Sequence, residues 1–271
     1  MSLLRQMSET KRYFKHLKYL FLCLCFLVSL YSQSSAAFCQ LKEINERTRV
    51  KKVIDGDTII INDGRKVRLI GINTPEIGRD GEASEPFAVQ ALQKLNNLLG
   101  TDTEIGLSYD RQKKDKYKRL LAHIALPDGR NAASELLNLG LAVSIVVPPN
   151  DSYLECYRKV EQQARSKQRG LWMLPENSII AAEKLSSRAQ GYRFVRGTIK
   201  RYKTSKKSIY LELGKTLPIR ITKRDLKQFK GLNLKSLKDS RVEVRGWINT
   251  YQGRQSIRLR HTDNIRVLTK L

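Results

Sequence analysis

Between Val50 and about Leu126 the chain repeats short β-type runs around one helical stretch: VIDGDTIII, KVRLIGI, a helix-patterned segment, TEIGLSY and RLLAHIAL. Short runs rich in branched apolar residues and bounded by turn residues read as strands. Three strands, a helix and two strands make a compact barrel pattern. Asp63 with Gly64, and Asp128 with Gly129, supply the residue pairs that adopt positive φ in tight turns. Between Glu82 and Gly100, Phe87, Ala91, Leu92, Leu95, Leu98 and Leu99 recur at helical spacing, with Gly100 as a stop signal. Two more helices are predicted. One runs from about Ala132 to Leu139 and ends at Gly140; the other follows Pro148 and Pro149, is capped by Asn150 or Asp151, and runs to about Arg169.

Residues 173–190 lose this regularity and are read as a linker, although IIAAEKL within them could form a short helix. From Gly191 the β pattern returns as FVRGTIKRY, SIYLELG, LPIRIT, a helical patch near Asp225 to Phe229, then SRVEVRGWINTY and RQSIRLRHTDNIRVL. Five strands with a helical insert suggest an OB-type barrel. The expected fold class is therefore mainly β with α. A five-stranded barrel with three helices spans 49–172 after an N-terminal segment, 38–48, and a second OB-type barrel spans 191–271.

Charge narrows the partners. Fifty-one Lys and Arg stand against 26 Asp and Glu, a net charge of +25, well beyond what solubility requires. Residues 190–271 hold 22 Lys and Arg and 5 Asp and Glu, or +17 in 82 residues. The C-terminal third is the main electrostatic footprint, and nucleic acid is the favoured polyanion. Anionic membranes and acidic polysaccharides attract the same charge. Tyr202, Tyr210, Trp247 and Tyr251 are interleaved there with Arg201, Lys203, Arg245 and Arg254. That mixture suits stacking of single-strand bases with phosphate neutralisation, although some of these aromatics belong to the core.

At the other end, Arg5, Lys11, Arg12, Lys15 and Lys18 precede an apolar run from Tyr19 to Tyr31, followed by Ser34, Ser35, Ala36 and Ala37. This order reads as an export signal over 1–37. The run is too short for a spanning helix, which needs about 20 residues. A periplasmic or secreted protein without stable membrane association is expected. Removing the signal would leave Cys39 and Cys156. In an exported protein the two suggest one disulfide; two buried free thiols are the alternative.

Polar residues that strand patterning does not demand gather in three segments: Asp55-Gly56-Asp57-Thr58; Arg68 with Asn73-Thr74-Pro75-Glu76; and Asp115-Lys116-Tyr117 with Arg119. Asp57, Asn73 and Glu76 offer the oxygen ligands a hard cation prefers, and calcium fits the set. Phosphodiester hydrolysis needs a base near the attacking water and positive charge where it builds on the phosphoryl oxygens. Glu76, Arg68 and Arg119 can fill these roles, and the planar guanidinium fork binds two oxygens at once. Tyr117 could line a phosphate pocket with Lys116 or pack on the barrel rim. Asp55 could serve the site or close its own turn, and Asp115 could simply hold Arg119. His123 alternates with apolar neighbours in RLLAHIAL and is read as a barrel residue.

These segments resemble the staphylococcal nuclease (thermonuclease) family: VIDGDT, RLIGINTPE, DKYKR and NAASELLNLGLAV, closed by QRGLW, fall in that family's order across about residues 49–172. The resemblance implies a staphylococcal-nuclease-type barrel. It also implies Asp57 and Asn73 as metal ligands, Thr74 offering its carbonyl, Glu76 as base, and Arg68 and Arg119 as phosphate-binding arginines. Two departures stand out. The family archetype has Asp where this chain has Asn73, so calcium should bind more weakly. The run from Ser144 to Pro148 lacks the tyrosines that pack on a base there. The implied function is an exported, calcium-dependent endonuclease that uses water as nucleophile, so that DNA, which has no 2′-hydroxyl, is a substrate and RNA a further candidate, with single strands favoured. The alternative is a nucleic-acid-binding protein whose nuclease site Asn73 has weakened.

Overall fold

The computed structural model describes residues 39–214 and 217–269; the export signal expected over 1–37 lies outside them. The first half holds β1 (Glu46–Asp55), β2 (Thr58–Ile61), β3 (Lys66–Leu69), β4 (Ile72–Asn73), β5 (Glu104–Lys114) and β6 (Leu120–Ala125). Five of them close a barrel in the order β1-β2-β3-β6-β5. The closing pair, β3 with β6, is parallel, and the other four are antiparallel. Ile59 and Ile61, Val67 and Leu69, Ile105 and Leu107, and Ala122 and Ile124 are buried at every second position, as the pleat of a closed sheet requires.

Helix α1 (Ala88–Leu99) lays Ala91, Leu95 and Leu99 into this core. It starts six residues later than the periodicity predicts. Phe87 has φ of 68°, a left-handed conformation that cannot continue a helix backwards, and Pro86 biases the residue before it away from helical backbone. Helix α2 (Ala132–Asn138) begins at Asn131, whose Oδ1 accepts from the Ala133 and Ser134 amides. Helix α3 (Leu154–Ser166) has no side-chain cap. Neither predicted cap is free to serve: Asn150 exchanges hydrogen bonds with the Gln112 backbone, and Asp151 accepts from Arg111 at 2.8 Å. Between α2 and α3, β7 (Val143–Ser144) pairs with β4.

Two glycines explain why QRGLW closes the first barrel. Gly140 and Gly170 both have positive φ, 68° and 52°. A Cβ on Gly140 would meet the Arg169 carbonyl oxygen at 2.1 Å, and one on Gly170 the Gly140 oxygen at 2.4 Å. Only this bare contact lets the Leu171 amide reach the Gly140 carbonyl at 2.8 Å.

The second barrel comprises β9 (Tyr192–Thr204), β10 (Ser208–Leu213), β11 (Leu217–Thr222), β12 (Arg241–Tyr251) and β13 (Arg254–Leu259), with β14 (Ile265–Thr269) on β12. Their order is β9-β10-β11-β13-β12, closed by β12 on β9. This is the strand order of the first barrel, with a parallel pair again between third and fifth strands. A 3-10 stretch, Lys223–Phe229, stands where α1 stands in the first. The chain thus holds two closed OB-type barrels. Residues 173–190 are not a bare tether: Ile179–Ala181 forms β8, parallel to β9, and Ala182 packs in the second core. A third apolar cluster joins Val143, Ile145, Ala164, Leu171 and Trp172 to Tyr192 and Phe194 of β9. Both barrels lie in one compact unit. Among the described residues no helix is long and apolar enough to cross a membrane.

Cys39 and Cys156 form a disulfide that closes a loop spanning 117 residues and ties the N-terminal segment to α3. Loop closure of this length restrains the unfolded chain by about 5 kcal/mol at most. Nearby, His123 is 3% exposed, with Nδ1 at 2.7 Å from the Tyr157 hydroxyl, which also bonds Asn131. Burial pushes the His123 pKa down to about 4, against a small opposing pull from Asp110. The unfolded chain takes up this proton near pH 6.5 while the folded protein resists until about 4, so stability is lost as pH falls across that window. The loss should approach about 3 kcal/mol. Urea unfolding at pH 7 and pH 4.5 should show it, and His123→Gln should flatten the difference.

Candidate active site

The first carboxylates stand where β1 turns into β2. Asp55 Oδ1 accepts from the Asp57 amide at 3.0 Å, closing the turn, and Asp55 also faces the cleft described below. Asp57 is 4% exposed. Its Oδ2 lies 2.7 Å from Arg68 Nη2 and accepts from the Thr74 amide at 3.1 Å, while Oδ1 accepts from Thr58 Oγ1 at 3.1 Å. Burial pushes the Asp57 carboxyl up to about 6; Arg68 opposes the rise and Asp55 adds to it. A carboxylate so placed attracts further positive charge.

Arg68, on β3, is the organising cation. Besides Asp57 it donates to the carbonyls of Leu69 and Ile72 and, at 3.2 Å, to Asn73 Oδ1. The Asn73 amide group donates in turn to the Thr74 carbonyl at 3.1 Å. Asn73 ends β4, and its position depends on β7, where Val143 faces it.

Glu76 follows on the loop between β4 and α1. Its side chain is exposed, and its backbone is fixed by Glu85, which accepts from the Glu76 amide at 2.9 Å and donates its own amide to the Glu76 carbonyl at 3.0 Å. Arg119 enters from the β5–β6 turn. Asp115 holds it by the backbone amide at 3.0 Å and by Nε at 2.7 Å. Arg119's terminal nitrogens have no protein partner among the described residues.

Asp55, Asp57, Arg68, Asn73, Glu76 and Arg119 line one open cleft of about 480 Å³. Three segments separated by up to about 60 residues therefore meet. Arg79 and Glu82 line the cleft too, and sequence reasoning missed both. Apolar periodicity puts Glu82 on the helix, although the charged, glycine-bearing run IGRDGEASE is itself a loop signal. Thr74 turns only its backbone toward this group. Lys116 and Tyr117 do not line the cleft: Tyr117 is 67% exposed, stacked under Lys116 Nζ at 4.7 Å and 5.6 Å from the Arg119 guanidinium, at the rim.

The second barrel sorts its own candidates. Tyr202 packs against the core. Tyr210 lies in an outward row with Lys203, Arg220 and Arg258, paired strand by strand. Tyr251 is 76% exposed and Trp247 39%, the latter held edge-on by Tyr192 with ring centroids 4.8 Å apart. A second groove runs from Asn73, Pro75 and Glu76 to Tyr192, Arg193 and Trp247. Arg245 is not a surface cation: its side chain is 12% exposed and bonded to Glu161.

Comparison with known proteins follows this geometry. A family model described as staphylococcal nuclease homologue matches residues 66–174. The match begins at β3, after the Asp55–Asp57 turn, and ends before the second barrel. The thermonuclease of Staphylococcus intermedius is 40% identical over 131 residues, 45% of this chain and 74% of that protein. The thermonuclease of Staphylococcus hyicus is 36% identical over 137 residues, 49% and 79% of the two chains. Endonuclease YncB of Bacillus subtilis is 36% identical over 126 residues, 45% and 59%.

Truncating one partner of a buried ion pair strands the other. Arg68→Leu should destabilise the protein by about 3 kcal/mol at pH 8, and by clearly less at pH 5, where the Asp57 carboxyl takes a proton. Denaturant unfolding at the two pH values checks this; equal losses would show that Asp57 is not what Arg68 compensates.

Proposed function

Because the chain belongs to the staphylococcal nuclease family, we propose that it is a metal-assisted endonuclease that hydrolyses phosphodiester bonds of nucleic acid in the cleft between Asp57, Glu76 and the two arginines. The observation that carries this is convergence: an exposed carboxylate and two guanidinium groups face one open space beside the buried Asp57 and the half-buried Asp55.

In this reading Glu76, on a loop braced by Glu85, takes the proton of the attacking water. Arg119, whose Nε is bound by Asp115, presents its terminal nitrogens to the phosphoryl oxygens on which charge accumulates. Arg68 supplies the second positive charge from the cleft floor. The donors at Asp57, Asn73 and the Thr74 carbonyl are all oxygens, with Asp55 adjacent, and a hard divalent cation fits them. We propose calcium, held by Asp57, Asn73 and Thr74. When bound it would neutralise a phosphate oxygen and orient the water. Among the described residues no three His, Cys, Asp or Glu side chains group as a metal site, so most of the cation's shell would come from water and substrate. Lys116 and Tyr117 at the rim would contact the strand beyond the reacting phosphate.

The second barrel would hold that strand. Its row of Lys203, Tyr210, Arg220 and Arg258 combines charge with an aromatic face, and Trp247 stands across a groove from the Glu76 loop. DNA and RNA both satisfy these contacts, with single strands favoured. Export to a periplasm or the medium is supported by the N-terminal pattern and by the disulfide, which persists in oxidising compartments.

The mature chain should cleave denatured DNA with calcium and not with chelator, and Glu76→Gln should lose at least about a hundredfold in rate. Retained binding without cleavage at high calcium would favour a binding protein instead. Asn73→Asp should lower the calcium needed for half-maximal cleavage, because a ligand charge is restored; an unchanged requirement would remove residue 73 from the ligand set.

A further inference from the structure

One buried cluster takes no part in the chemistry above. Glu161, on α3, is 2% exposed. Arg245, from β12 of the second barrel, grips both of its oxygens through Nη2, at 2.8 and 2.7 Å. Glu161 Oε1 also accepts from the Ser144 amide at 2.7 Å. Arg158, one turn earlier on α3, donates to the Ser144 carbonyl and, through Nε at 2.5 Å, to Asp263 of the second barrel. Both polar groups of the Ser144 backbone are therefore held by side chains that the second barrel anchors.

Ser144 is not a neutral position. It lies on β7, opposite Ile72, and Val143 beside it lies opposite Asn73. β4 is two residues long, so β7 is what fixes Asn73 from outside the barrel, and Thr74 and Glu76 follow directly.

We propose that Arg245 is a positioning residue for the nuclease cleft, acting through Glu161 and the Ser144 backbone on the segment from Asn73 to Glu76. The second barrel is then a structural part of the active site as well as a surface for substrate. Its removal would leave Glu161 buried beside an uncovered apolar face, and β7 without its clamp. This rests on the cleft assignment above for its effect on rate, but its effect on backbone order is independent of it.

The physics separates this role from general stability. Without Arg245, the Glu161 carboxylate keeps one amide donor and only the longer ion pair to Arg158 at 3.7 Å, a loss that costs more than the pair contributes. The carboxylate then moves toward water, and the Ser144 amide loses a fixed acceptor. A cut in the neighbouring apolar cluster, such as Trp172→Leu, loosens the junction without touching this acceptor or Arg245.

Hydrogen exchange of the metal-free, full chain tests it first. Arg245→Ala should speed exchange at the Ser144 and Thr74 amides at least tenfold relative to Trp172→Leu, each compared at an equal interval below its own melting temperature. Cleavage then adds a second readout. Arg245→Ala should raise the calcium for half-maximal rate and lower kcat at least fivefold with KM for a short oligonucleotide unchanged, and Arg245→Lys should recover part of both. Equal exchange in the two variants would overturn the proposal. A rise in KM alone would also overturn it, because Arg245 would then act on substrate. If the wild-type chain does not cleave, the nuclease reading fails, and the exchange result still decides the positioning role.

Discussion

Each barrel contains one parallel pair, β3 with β6 and β11 with β13, and a parallel pair cannot be made by a tight hairpin. The chain must leave β3, cross, and come back through β5 before β6 can lie alongside β3. That detour is the long stretch from Ile70 to Leu99, and it carries Asn73, Thr74, Glu76 and α1. The cleft exists where it does because closure forces a long connection at one end of the barrel. In the second barrel the same closure forces a detour between β11 and β12, filled by the 3-10 stretch at Lys223–Phe229 and the basic loop after it.

Within that frame two ion pairs divide the electrostatic labour. Arg68 and Asp57 sit under the cleft, where burial raises the carboxyl and the guanidinium is spread over four acceptors. Glu161 and Arg245 sit away from it, with both carboxylate oxygens held by one guanidinium nitrogen. The first pair shapes the floor of the cleft, and the second joins α3 to β12. Fixing a short strand such as β4 needs a rigid neighbour, and a buried pair that also holds the Ser144 amide provides one.

Much of this was legible from residue order. Strand alternation marks the barrel walls, apolar spacing marks α2 from about Ala132, and the Asp-Gly and Asn-Thr-Pro-Glu segments with Arg68 and Arg119 point to the cleft, while Lys116 and Tyr117 fall at its rim. The rest depended on partners distant in sequence. The sequence reading starts α1 too early because Phe87 falls in register with the apolar positions of the helix, while the backbone before it, at Glu85, serves the Glu76 loop. Asn150 and Asp151 look like caps and instead secure β5. Arg245 has the sequence context of a phosphate ligand, Arg among aromatics in a basic barrel, and only the fold shows it facing a carboxylate 84 residues away. Local pattern reports which face a residue prefers; it does not report which other element will cover that face.

The shared cluster around Phe194 and the Arg245–Glu161 pair also bear on how such a chain can be recombined. An arrangement of two barrels invites the idea of interchangeable modules, cut anywhere in residues 173–190. Here the natural cut would leave a charge without its counterpart on one side and an open sheet edge at β9 on the other, since β8 belongs to both the joining segment and the second barrel. A graft that works has to carry α3 and β8 with the C-terminal barrel, or replace Glu161 at the same time, so inheritance of the second barrel is tied to changes made in the first.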